Sequence, residues 1–178
     1  MKMLIGGQWV DASDGGVVKD INPANGMLID TVPAATRQDI DRAIEFAVKG
    51  QKEWDAFPLH QKLAVLSKYC RIVEENTERI AAVMCGEGGK PIEQCRVEVA
   101  ANAMVFRIYI EAAGSFYGST LPLNAEPRSQ GDIAFTVHEP LGVFACITPF
   151  NYPVELAAHK TFPWLIRSAS LNEAITTK

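Results

Sequence analysis

The sequence predicts an α/β fold, and three features carry that prediction. Apolar residues recur at helical spacing through most of residues 37–113. Leu141-Gly142-Val143-Phe144-Ala145-Cys146-Ile147 is an apolar run of strand formers, the pattern of a strand buried on both faces of a parallel sheet. Directly after it, Thr148-Pro149-Phe150-Asn151-Tyr152-Pro153 brackets a tight turn between two prolines and opens a helix. Pro is tolerated at the first helical position, where its missing N–H costs nothing. Strand, turn and helix in that order form the unit of an open α/β sheet. Ligands bind such sheets beyond the carboxyl ends of the strands.

Residues 4–33 read as two short hairpins. Gly6-Gly7 and Asn25-Gly26 are the turn signals, flanked by Leu4-Ile5, Trp9-Val10 and Met27-Leu28-Ile29. A first helix follows Thr36, an N-cap with Asp39 three residues on. Its apolar face holds Ile40, Ala43, Ile44, Ala47 and Val48. Pro58 opens a second helix with Leu59, Leu63, Leu66, Cys70 and Val73 inward. Asn76 or Thr77 caps a third, carrying Ile80, Val83 and Met84 and ending at Gly86. Pro91 starts a long fourth helix whose buried stripe is Ile92, Cys95, Val99, Ala103, Phe106, Ile110 and Ala113, with Gly114 as its stop. Thr120-Leu121-Pro122-Leu123 then makes one short strand. Ile133, Phe135 and Val137 alternate with polar residues in a second. The buried strand at 141–148 and the helix from Tyr152 complete the order.

Composition removes several function classes. With 48% hydrophobic and 21% charged residues, the 178-residue chain reads as globular and buries one ordinary core. A net charge of −4 without a dense Lys/Arg cluster argues against a nucleic-acid surface. No signal peptide and no bilayer-spanning apolar run are expected. Cys70, Cys85, Cys95 and Cys146 form no Cys-x-x-Cys pair and have no His at zinc-ligand spacing. No metal site is predicted, and a reduced, cytoplasmic protein is the simplest reading.

The hexapeptide 148–153 resembles the Pro-Trp-Asn-Phe/Tyr-Pro motif of the NAD(P)-dependent aldehyde dehydrogenase superfamily, with Phe150 in place of the commoner Trp. The resemblance covers about residues 4–160. It includes the turns Ile21-Asn22-Pro23-Ala24-Asn25-Gly26 and Glu87-Gly88-Gly89-Lys90-Pro91, and the lead-in Glu139-Pro140-Leu141-Gly142-Val143. It implies a partial Rossmann-like cofactor-binding domain with N-terminal hairpins, helices and an oligomerisation-arm hairpin at about 118–139. Residues 1–160 correspond to the N-terminal part of that domain, and the catalytic domain is not among them. After Lys160 the expected Gly-Asn turn, second apolar strand and Lys-Pro do not appear. Residues 161–178 are therefore expected to be a tail outside the family pattern, as a shifted reading frame or early stop would leave.

In the family a cysteine thiolate attacks the aldehyde, an Asn amide and a backbone N–H hold the resulting oxyanion, hydride passes to NAD or NADP, and a Glu activates water to release the acid. Of these groups the chain offers the Asn, at Asn151. The plain alternative is a turn-forming Asn. Ile147, Thr148, Pro149 and Phe150 match the strand end that lies along the cofactor. Tyr152, Glu155, Leu156 and His159 share a helix face and match positions lining the substrate tunnel. A polar tunnel of that kind suits small oxygenated aldehydes, while a solvated Glu–His pair is the competing reading. Lys160 matches a lysine linked to proton transfer, or is simply a surface Lys. Cys146 lies mid-strand and reads as an inert core thiol. Arg107 either pairs with Glu111 one turn on or anchors a substrate anion. Glu87 through Lys90 lack the strand-first context of a phosphate loop. The resemblance thus implies a small aldehyde substrate, NAD or NADP as cofactor, self-association through the arm hairpin, and neither nucleic-acid nor membrane partners. Dehydrogenase activity and cofactor binding by this chain alone are not expected. An interaction module that adds the 120–137 hairpin to a partner is the second reading.

Overall fold

A computed structural model describes residues 1–115, 117–123, 127–129 and 131–166; the part of the expected tail after Ile166 lies outside the described residues. Two antiparallel hairpins come first. β1 (Met3–Ile5) pairs with β2 (Gln8–Val10), and β3 (Val17–Ile21) with β4 (Leu28–Pro33). Gly6, Gly7 and Gly26 take positive φ at the turns, a conformation that residues with a Cβ rarely adopt.

Four helices follow: α1 (Arg37–Asp55), α2 (Leu59–Glu75), α3 (Thr77–Gly88) and α4 (Ile92–Ala112). Thr36 caps α1 in a reciprocal capping box with Asp39. The Asp39 carboxylate also accepts from the Ser13 N–H at 3.1 Å, which ties the link between the two hairpins to the helix start. The Thr36 and Ser13 N–H groups hold this carboxyl below the usual carboxylate range.

The core lies along α4. On one side α4 meets α2 and α5 (Pro153–Ile166) through Leu66, Cys70, Val105, Phe106, Ala158, Phe162 and Ile166. On the other, Val73, Ala81, Met84, Cys95, Val99 and Ala103 join α2, α3 and α4. The predicted α4 stripe is thus the centre of the protein. Phe162 is fully buried, and its ring meets those of Phe106 at 4.4 Å and Tyr109 at 5.4 Å. A short hairpin lies in the region 118–139, with β5 (Thr120–Leu121) antiparallel to β6 (Ala134–Phe135).

Several expectations need correction. Residues 141–148 join no ladder, because no other strand among the described residues lies beside them and a strand exists only in a pair. They pack instead on α5, where the Phe144 and Trp164 rings stack at 3.8 Å. Ile40, Ile44 and Val48 are exposed, so only Ala47 of the α1 stripe is buried. Leu59 and Val83 are likewise exposed. α3 continues through Gly86 to Gly88, and its left-handed cap is Gly89. A Cβ there would meet Pro23 Cγ at 2.7 Å, so both the φ of 67° and the contact demand glycine. α5 runs past Lys160 and through Pro163 to Ile166. The residues after Lys160 therefore continue a helix that carries part of the core.

Candidate functional site

The turn 148–152 connects the extended segment to α5, and α4 builds the floor beneath it. Glu98, on α4, is 1% exposed. A carboxyl group so far from water needs a hydrogen-bond partner for each oxygen. Its Oε1 accepts from the backbone N–H of Val154 at 2.9 Å and of Glu155 at 3.3 Å, two of the donors left open at the start of α5. Its Oε2 accepts from Lys90 Nζ at 2.6 Å. One α4 turn on, buried Asn102 donates from Nδ2 to the Val154 carbonyl at 2.7 Å and accepts from the Tyr69 hydroxyl at 3.2 Å. Lys90 Nζ also donates to the Asn151 carbonyl at 3.3 Å and stands 3.6 Å from the centre of the Tyr152 ring.

This floor leaves the turn open to solvent above. Asn151 is exposed, and its side-chain amide has no partner among the described residues. Ile147 and Phe150 are exposed, Phe150 by 80%, with half-buried Thr148 and exposed Pro149 between them. Lys160 reaches back from α5 to the Ile147 carbonyl, and Cys146 Sγ donates to the Lys160 carbonyl at 3.4 Å. Ile147, Cys146 and Lys160 therefore sit together on the side of α5 that faces the extended segment. His159 is exposed and approaches the Tyr109 ring edge-on at 6.3 Å; Glu155 and Leu156 are half-buried nearby on α5. Residues 147–152, Glu155, Leu156, His159 and Lys160 thus lie at the end of the extended segment, on the turn or on α5, whereas Arg107 and residues 87–90 lie elsewhere. What the sequence reading missed is the pairing of Glu98 with Lys90 and the helix start.

Residues outside this cluster are structural. Arg107 pairs with Glu74 on α2 through three hydrogen bonds of 2.8–3.0 Å, not with Glu111, because α2 packs alongside α4 and presents the nearer carboxylate. Gly88 belongs to α3, so Glu87–Lys90 form a helix end and not a phosphate loop. Burial, and then the Asp20 charge, push the Glu87 carboxyl up. Among the described residues no group of acids, histidines and cysteines could hold a metal ion, and no helix is long and apolar enough to cross a membrane.

The residues fit a dinucleotide in part. The exposed apolar ledge at Ile147 and Phe150 suits a ring and sugar laid along it. The helix N-terminus beside that ledge is already filled by the Glu98 carboxylate, so α5 offers no free donors to a pyrophosphate.

Comparison with known proteins gives one answer. Solved structures resemble the chain over nearly all its length. An aldehyde dehydrogenase from Brucella melitensis biovar abortus 2308 is 33% identical at a TM-score of 0.88, covering 93% of this chain and 34% of that protein. The NADP-dependent glyceraldehyde-3-phosphate dehydrogenase from Bacillus halodurans C-125, solved with NADP, is 32% identical at 0.88, covering 94% and 36%. PnpE from Pseudomonas sp. WBC-3 is 30% identical at 0.86, covering 94% and 34%; PnpE has also been solved with nicotinamide adenine dinucleotide. The chain spans about a third of the length of each of these proteins. The sequence pattern described as "Aldehyde dehydrogenase family" matches residues 9–170, running past Lys160 as α5 does, and the chain belongs to that family.

Proposed function

We propose that this chain supplies the oxyanion side of an NAD(P)-dependent aldehyde dehydrogenase active site, with Asn151 as the donor. The carrying observation is that the Asn151 backbone is held from below by Lys90 while its amide is exposed and has no partner among the described residues. Asn151 Nδ2 would donate to the carbonyl oxygen of the aldehyde as negative charge builds there on nucleophilic attack. Tyr152, Glu155, Leu156 and His159 would line the approach of a small polar aldehyde, and Lys160 would stand beside the cofactor ledge of Ile147, Thr148, Pro149 and Phe150. NAD or NADP, when bound, supplies the hydride acceptor. The four free cysteines agree with a cytoplasmic setting.

The nucleophilic cysteine and the glutamate base of the family are not assigned to any residue of this chain. The 178-residue chain alone should therefore show no NADH or NADPH formation with glycolaldehyde or lactaldehyde, and no micromolar binding of either dinucleotide by calorimetry. Turnover that survives Asn151→Ala but is lost in Cys146→Ser would make Cys146 the nucleophile and sink the proposal. The positive test joins residues 1–160 to the remainder of the Brucella protein. In that chimera Asn151→Ala should lower kcat by about 10²–10³, the usual cost of one oxyanion donor, with little change in KM.

A specific observation favours the self-association role as well. Tyr117, Ile133, Phe135 and Val137 on the hairpin are all exposed, Ile133 by 85%. Apolar side chains so placed on a short hairpin with open edges suit a second copy of the chain. Light scattering across a concentration series should show growth in mass, and Ile133→Lys with Phe135→Lys should abolish it. A monomer at all concentrations would contradict this role.

A further inference from the structure

We propose that Lys90 and Glu98 are positioning residues that hold Asn151 in place for its donor role. The inference rests on the reading of Asn151 given above. It starts from a concentration of polar grip on a few backbone atoms. Lys90 binds the carbonyl of residue 151, Glu98 the N–H groups of 154 and 155, and Asn102 the carbonyl of 154. Three side chains, one just before α4 and two on it, thus fix the turn and the start of α5 through the main chain.

The anchor point follows a fixed turn: Lys90 comes after Gly89, whose positive φ sets the chain direction into α4 and where a Cβ would meet Pro23. The Lys90 ammonium then has three partners at once: Glu98 Oε2, the Asn151 carbonyl and the face of Tyr152. Glu98 is fully buried and divides its two oxygens between Lys90 and the helix start. These bonds are charge-assisted and directional, so they fix where the turn sits more sharply than apolar packing would. The Asn151 side chain extends from the peptide that Lys90 holds. A loose turn would spread that amide over several positions, and an oxyanion donor works only within a few tenths of an ångström of its target.

The test uses the 15N-labelled 178-residue chain and NMR. In Glu98→Gln, exchange of the Val154 and Glu155 amides should rise at least about tenfold, the scale of losing a charge-assisted hydrogen bond; in Lys90→Met, which leaves Glu98 bonded to both amides, the rise should be smaller. The Asn151 side-chain amide signals should shift and broaden, while amides of α1 and α2 keep their rates. Lys90→Arg, which keeps the charge, should restore the wild-type Asn151 signals. Unchanged Asn151 signals in both variants would overturn the proposal. So would an equal rise of exchange in α1 and α2, which would make the pair a general support of the fold. Either result is independent of whether Asn151 acts as an oxyanion donor, which the chimera assay decides separately.

Discussion

Phe162→Ala is expected to cost about 3–5 kcal/mol of stability, the range for removing a large aromatic side chain from a packed core. Phe162 is fully exposed to protein and not at all to water. It stands between α4 and α5, with Phe106 edge-on at 4.4 Å and Tyr109 stacked at 5.4 Å. Aromatic pairs of this geometry add to the burial itself. Neighbours held on two helices cannot collapse into the space, so most of the cavity cost remains. A loss of this size is a large part of the roughly 5–15 kcal/mol that holds a domain folded. At about 2–4 °C per kcal/mol for a chain of this size, the melting midpoint should fall by roughly 6–20 °C. Phe150→Ala, at an exposed position, serves as the control and should stay within about 0.5 kcal/mol of wild type. Equal behaviour of the two variants would mean that α5 does not dock on α4 as described.

The parts of the fold legible from the sequence are those set by neighbours in the chain. Thr36 with Asp39, the Gly6-Gly7 turn and the α4 stripe are local signals, and each appears where expected. Tertiary partners were not legible. Spacing along a helix offered Arg107 only Glu111, whereas α2 brings Glu74 alongside. Glu98 is paired with N–H groups 56 and 57 residues away, which no periodicity shows. The apolar run 141–148 has the composition of a buried strand. Composition reports what a segment can bury, not whether a neighbour is present to pair with it. The α1 face failed for the same reason: Ile40, Ile44 and Val48 have the right period, but nothing among the described residues covers them. For the candidate site, the motif around Asn151 located the turn, while the residues that hold the turn came only from the structure.

Removing one member of the Lys90–Glu98 pair should be costly, and the two single losses should not add. Glu98→Ala takes away the acceptor for Lys90 Nζ, the Val154 N–H and the Glu155 N–H together. Breaking a buried pair from one side costs about 3–5 kcal/mol, because the other charge stays behind without compensation. Lys90→Met should cost less than Glu98→Ala. It leaves the Glu98 carboxylate with its two N–H donors, and it deprives no backbone donor of its acceptor. The double variant removes both charges, so its loss should fall short of the sum of the singles by about 0.5–3 kcal/mol, the range for groups in direct contact. Urea unfolding of the four proteins measures this coupling. Additive losses would show that the 2.6 Å contact contributes little beyond what each residue does alone. The double variant should still fall below wild type, since the first N–H groups of α5 have then lost their acceptor, and a methionine in place of Lys90 cannot supply one.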